Sequence, residues 1–153
     1  MALEYRLQVK TEISLFNFIE NYLIEKNISF LKEGVNKGAN IYLYEVLGFM
    51  ISFIISKKMF FDYIINESEF IEREWDYSSN IYFRLDKFYD DLLARLNMMD
   101  ICINILNNTN EDAVLLFNGD VLILERVNGI VKVNNNFGFW NSEELLAKVK
   151  LIM

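Results

Sequence analysis

Histidine and proline are both absent from this 153-residue chain, and cysteine occurs once, at Cys102. Without imidazole there is no Ser-His-Asp or Cys-His nucleophile system, no histidine zinc ligand and no histidine pH switch. A single cysteine closes no intramolecular disulfide and forms no CxxC pair, which disfavours a secreted, disulfide-stapled fold and points to a cytoplasmic protein. The opening Met1-Ala2-Leu3-Glu4-Tyr5-Arg6 alternates charged and apolar residues, unlike the basic start and unbroken apolar run of a signal peptide. The greasiest stretch, Val46 to Ile55, is ten residues long before Ser56-Lys57-Lys58 ends it, short of the roughly twenty that a membrane helix needs. The glycines are also sparse. Gly34 to Gly38 has neither the Gly-Lys-Ser/Thr ending of a P-loop nor the three-glycine spacing of a dinucleotide turn.

What is present is ordinary globular material, 53% hydrophobic and 24% charged, outside disordered and coiled-coil compositions. One domain spanning residues 1–153 is expected. Leu3, Tyr5, Leu7 and Val9 alternate with Glu4, Arg6, Gln8 and Lys10, which predicts a strand with one wet face. Thr11 or Ser14 is placed to cap a helix carrying Leu15, Phe18, Ile19, Tyr22 and Leu23 and running to about Lys26.

Short β-rich runs follow at 28–31, 41–46 and 49–55, divided by Gly34, Gly38 and Gly48, and read as an antiparallel meander. Residues 60–77 fit helix or strand at their start, with the Glu-rich remainder an exposed connection. After a strand at 80–85, apolar residues Leu92, Leu96, Met99, Ile103 and Leu106 predict a helix over 87–106, with Asp86 as its N-cap and Asp90 and Asp91 in its first turn. Runs at 113–117, 121–126 and 130–133 are joined at Asn118-Gly119 and Asn128-Gly129, the preferred pair for tight hairpins. A last helix starts from the cap Asn141 with Glu143 and Glu144 in its first turn. The sum is an α+β fold, a mainly antiparallel sheet with about three helices packed against it.

The formal charge of −7 is local: residues 61–100 carry four basic and ten acidic groups, against seven and six in 1–60 and four and six in 101–153. Within that segment Asp62, Glu67, Glu69, Glu72, Glu74 and Asp76 are offset only by Arg73, and Phe70, Trp75 and Tyr77 are interleaved. Glu67, Glu69, Glu72, Glu74, Trp75 and Asp76 are therefore candidates for a face that docks a basic protein, charge steering approach and aromatics supplying buried area. A solvated, solubilising loop fits the same charge pattern equally well. No basic patch is visible, so nucleic acid is a disfavoured partner.

Chemistry has little support. Carboxylates at Asp86, Asp90, Asp91, Asp112 and Asp120 leave a carboxylate-based hydrolase or a small-ligand-binding domain open, but capping and turn roles explain each of them more simply. Cys102, among Ile101, Ile103 and Ile105, reads as an inert buried thiol. No cofactor or metal is implied.

Several words in the chain carry more. Met1-Ala2-Leu3-Glu4-Tyr5, Phe83-Arg84-Leu85-Asp86-Lys87-Phe88 and Asp112-Ala113-Val114-Leu115-Leu116-Phe117-Asn118-Gly119-Asp120 occur in order with Asn128-Gly129, Val133-Asn134 and Gly138-Phe139-Trp140. Together they resemble the SitI-like immunity proteins, which protect bacteria from a cognate Sit-type toxin exchanged between neighbouring cells. Asn141-Ser142 stands where that family typically has Thr-Pro, and Asn can serve the same capping role. The resemblance implies a non-catalytic cytoplasmic protein that binds and neutralises one toxin. Phe83, Phe88, Phe117, Phe139 and Trp140 of these motifs are expected in the core.

Overall fold

The computed structural model describes residues 3–35 and 38–153, so Met1 and Ala2 of the opening motif lie outside it. Among the described residues eight strands form one sheet in the order β2-β3-β4-β5-β1-β6-β7-β8. They are β1 (Leu3–Val9), β2 (Leu31–Val35), β3 (Gly38–Leu43), β4 (Phe49–Asn66), β5 (Glu69–Leu85), β6 (Ala113–Phe117), β7 (Val121–Val127) and β8 (Ile130–Val133). The helices α1 (Phe16–Glu25), α2 (Asp91–Asn107) and α3 (Glu143–Val149) accompany them, giving the expected α+β architecture.

Neighbouring strands in that order are antiparallel, and β1 lies between β5 and β6. The two Asn-Gly pairs do the turning. Asn118 (φ 49°), Gly119 (φ 82°), Asn128 (φ 52°) and Gly129 (φ 80°) all sit in the left-handed region that matches the twist of a tight hairpin.

Alternation divides the strands between two cores. Leu7, Ile81, Phe83, Ile51 and Leu115 face one way and pack with Ile19 and Leu23 of α1, Met98, Met99 and Cys102 of α2 and Leu145 and Val149 of α3. Val114, Leu116 and Leu122 form a second, smaller cluster with Tyr63 and Trp75. Covered on both faces, β6 reads as the continuous apolar run Ala-Val-Leu-Leu-Phe instead of an alternating one.

The second cluster exists because β4 and β5 are far longer than the sequence suggests. They run in one unbroken register from Phe49↔Leu85 to Ile64↔Phe70, and the tip turns at Glu67 and Ser68. The Glu-rich part of 60–77, expected to be an exposed connection, is thus half of a β-hairpin. Its far portion, here called the arm, meets β7 at a parallel bridge, Ile64↔Val121. The arm also covers the polar side of β1, expected to be wet: Gln8 is fully buried, its amide Nε2 3.6 Å from Met59 Sδ.

Three caps move from their expected places. Leu15 occupies the N-cap position of α1, with no side-chain cap, and Ser14 instead accepts from the Phe16 N–H at 3.4 Å. Asp90, not Asp86, caps α2 by accepting the Leu93 N–H at 2.8 Å, because Asp86 is spent on a preceding turn, accepting from the Phe88 N–H at 2.9 Å. Ser142, not Asn141, caps α3 by accepting from Leu145 N–H, since Asn141 still belongs to a short 3-10 turn, Phe139–Asn141. That same turn at 86–89 puts Phe88 at 86% exposure, correcting its assignment to the core, whereas Phe83, Phe139 and Trp140 are buried as expected and Phe117 packs against the core from a half-buried position.

Candidate functional site

The arm is a two-stranded ribbon, and residues paired across such a ribbon share a face. Met59↔Trp75, Phe61↔Arg73 and Tyr63↔Ile71 make one face, and Phe60↔Glu74, Asp62↔Glu72 and Ile64↔Phe70 make the other. The first face is turned inward. Trp75 is 4% exposed, edge-on to Phe61 with ring centroids 4.8 Å apart, and packs with Tyr63 on the second core.

A polar clasp fixes that face to the sheet. Tyr63 Oη donates to Glu125 Oε2 of β7 at 3.1 Å, Arg73 Nε donates to Tyr63 Oη at 3.2 Å, and Arg73 Nη2 lies 3.7 Å from Glu125 Oε2. Burial pushes the Tyr63 hydroxyl above its ordinary pKa, and the bond to that hydroxyl raises Arg73 further still. Nearer the tip, the buried amide of Asn134 donates to both Ile65 O and Leu122 O at 2.9 Å, Asn136 Nδ2 donates to Ile65 O at 3.1 Å, and the Ile64 N–H donates to Asp120 O at 2.7 Å. Asp120 and Asn134 of the shared motifs thus hold the arm down.

Arg73, the only cation within the acidic stretch, is consumed by this clasp. The outer face keeps Asp62, Glu72 and Glu74 exposed, and among the described residues none of them, nor Asp76, is in an ion pair. Phe60 and Phe70 stand among them at 72% and 63% exposure. Asp62 directly opposes Glu72, an arrangement of like charges that weakens a sheet. Among the described residues no three carboxylates gather closely enough to hold a metal ion.

Of the residues singled out by charge, Glu67, Glu69, Glu72, Glu74 and Asp76 are exposed, whereas Trp75 is an internal anchor with little area to offer a partner. Glu72 and Glu74 share the outer face, while Glu67 and Glu69 sit at the tip, where Asn66 Nδ2 donates to Glu69 Oε1 at 2.9 Å. Phe60 was not among those residues. The signal for it was the period of two in Ile71-Glu72-Arg73-Glu74-Trp75-Asp76, which reads as a strand with an acidic face once charge density is set aside.

A larger hollow lies elsewhere, about 640 Å³ lined by Tyr44, Glu45, Arg84, Leu85, Asp86, Lys87 and Phe88. It brings Asp86 near a second carboxylate, but Glu45 is exposed and Asp86 already accepts the Phe88 N–H. Cys102 is fully buried, and desolvation pushes its thiol far up, so it presents no thiolate. None of the helices is long and apolar enough, among the described residues, to cross a membrane.

A family described as SitI3-like matches residues 3–144, nearly the whole chain. No curated protein matches, and no solved structure does.

Proposed function

The chain belongs to the SitI3-like family, and from that premise we propose that it is an immunity protein, non-catalytic and cytoplasmic, that neutralises a cognate toxin by stoichiometric occlusion. The family match over residues 3–144 is the observation that carries this reading. The arm adds physical support. Its inner face is tied to β7 by Tyr63, Arg73, Glu125 and Asn134, so its outer face is held in place before any partner arrives. Preorganisation of this kind spares a binder the ordering cost of association. Charge at Glu67, Glu69, Glu72, Glu74 and Asp76 steers a basic toxin toward that face, and Phe60 and Phe70 supply apolar area once it is there.

Co-expression with the toxin encoded beside this gene is the direct test. Restored growth together with a co-purifying one-to-one complex is the expected result, and failure of both overturns the reading. A second reading, a carboxylate-based hydrolase or small-ligand-binding domain, draws on the groove that holds Asp86 and Glu45. It requires a hydrolytic or ligand-binding activity that Glu45→Gln with Asp86→Asn abolishes, whereas the immunity reading expects protection to survive that pair.

A further inference from the structure

We infer that the hollow enclosed by β1, the first turns of α2 and the segment 137–139 is a binding site for one neutral aromatic ring that carries a hydrogen-bond acceptor. The hollow measures about 250 Å³, and no residue of the arm or of the Asp86 groove lines it. Its walls are largely aromatic. Tyr5 stacks on Phe117 with ring centroids 4.9 Å apart and meets Phe139 edge-on at 5.7 Å, and Phe137, still 40% exposed, is a further wall. An apolar cavity of roughly 150 Å³ is enough to take up benzene, so this one has room for a ring and a substituent. It falls short of the roughly 300–1,000 Å³ of sites for drug-sized ligands.

Two polar groups on the walls define the rest of the ligand. Tyr5 is only 6% exposed, yet among the described residues its hydroxyl makes no hydrogen bond, whereas a buried tyrosine hydroxyl ordinarily finds a partner. Arg95 lies over the Phe139 ring, 5.5 Å from its centroid, and pairs through Nη2 with Asp91 at 2.9 Å, while its Nε is buried with no acceptor. The charges of Arg95 and Asp91 both bear on the Tyr5 hydroxyl, which gathers the three groups around one space. An oxygen that accepts from the hydroxyl or the guanidinium supplies what the fold does not.

Asp91 decides the ligand's charge. Because Arg95 already has its counter-ion, a carboxylate here would be a second anion beside Asp91 without a cation of its own. A carbonyl oxygen makes the same hydrogen bond without that cost. An aliphatic body fills the volume as well, but only a ring gains the edge-to-face contacts that three aromatic walls offer. The ring and its carbonyl can belong to a free small molecule or to a phenylalanine of a protein partner.

The experiment is an amide NMR titration of the full chain with benzamide, benzoate, toluene, cyclohexanecarboxamide and N-acetyl-phenylalanine amide. Benzamide is expected to shift amides at 3–5, 91–95, 117–123 and 137–139 with a Kd of about 1 mM or tighter, and the benzoate, toluene and cyclohexane compounds to bind several-fold more weakly. Tighter binding of the capped phenylalanine than of benzamide assigns the ring to a protein partner, and the reverse order assigns it to a free molecule. Tyr5→Phe keeps the stacked ring and removes only the hydroxyl, so it should bring benzamide down to the affinity of toluene and leave toluene unchanged. Phe137→Ala, at a half-exposed wall, should weaken every aromatic ligand without lowering the melting temperature. Benzamide shifts confined to other surfaces, benzoate binding as tightly as benzamide, or benzamide affinity equal in wild type and Tyr5→Phe overturns the inference. Protection against the toxin is scored separately, so failure of these titrations removes the ring site and leaves the immunity reading standing.

Discussion

β4 and β5 are two strands with one register and two different surroundings. At the base, Phe49, Ile51, Ile81 and Phe83 are completely buried, part of the core that all three helices share. In the arm, Tyr63 and Trp75 pack on a much smaller cluster of Val114, Leu116 and Leu122, and the opposite side faces water with uncompensated carboxylates. The base specifies the fold, and the arm borrows its rigidity through a few polar bonds. A surface supported this way can change its outer residues at little cost in stability, which is what a protein matched to one particular partner requires.

Breaking the base has the largest expected effect. Phe83 is fully buried and meets Phe49 edge-on at 5.5 Å, so Phe83→Ala should cost about 3–5 kcal/mol in global stability, read as a shifted denaturant midpoint. Alkaline titration sharpens the same point. Burial pushes the Tyr5 hydroxyl up to about 12 from 10.0, and a folded-state value above the unfolded one contributes stability that is whole below pH 10 and lost between pH 10 and 12. Wild type should lose on the order of 2 kcal/mol more than Tyr5→Phe across that window, measured by urea denaturation at both ends.

The arm should respond locally. Asn134→Ala removes two amide hydrogen bonds to Ile65 and Leu122 and is expected to cost about 1–3 kcal/mol. Hydrogen exchange should speed at Ile64 and in the arm while Ile81 and Phe83 keep their protection; equal loss at both would mean that arm and base open as one unit. The smallest effect belongs to the outer face. Glu72→Gln should leave stability within about 0.5 kcal/mol or raise it slightly by relieving Asp62, as thermal melting would show.

The same contrast explains how much was legible in the sequence. Where apolar residues alternate or run continuously between turn signals, or where a turn demands a left-handed residue, pattern suffices: β1, the three strands β6 to β8 and the two Asn-Gly turns all follow from residue order, although the covering of the polar face of β1 does not. The motif resemblance likewise agrees with the family match over 3–144. The arm escaped because its support is distant. Trp75 packs on Val114, Leu116 and Leu122, more than thirty-five residues away along the chain, as well as on Phe61 and Tyr63 of its own hairpin, so its Glu-rich surroundings read as a loop. Caps were misplaced by one to four residues, since Asp86, Asp90, Asn141 and Ser142 are all good capping types and only the preceding turns decide among them. Phe88 shows the converse, an aromatic residue that hydrophobicity alone assigns inside and a four-residue turn carries out.

The central claim is that the outer face of the arm steers and receives the toxin. Stopped-flow association of the toxin with wild type and with Glu69→Lys/Glu72→Lys/Glu74→Lys, across a series of salt concentrations, tests it most directly. The triple variant should fold normally, associate about tenfold or more slowly at low salt, and show a much shallower salt dependence. An unchanged rate with an unchanged salt slope would contradict the claim and place the interface elsewhere.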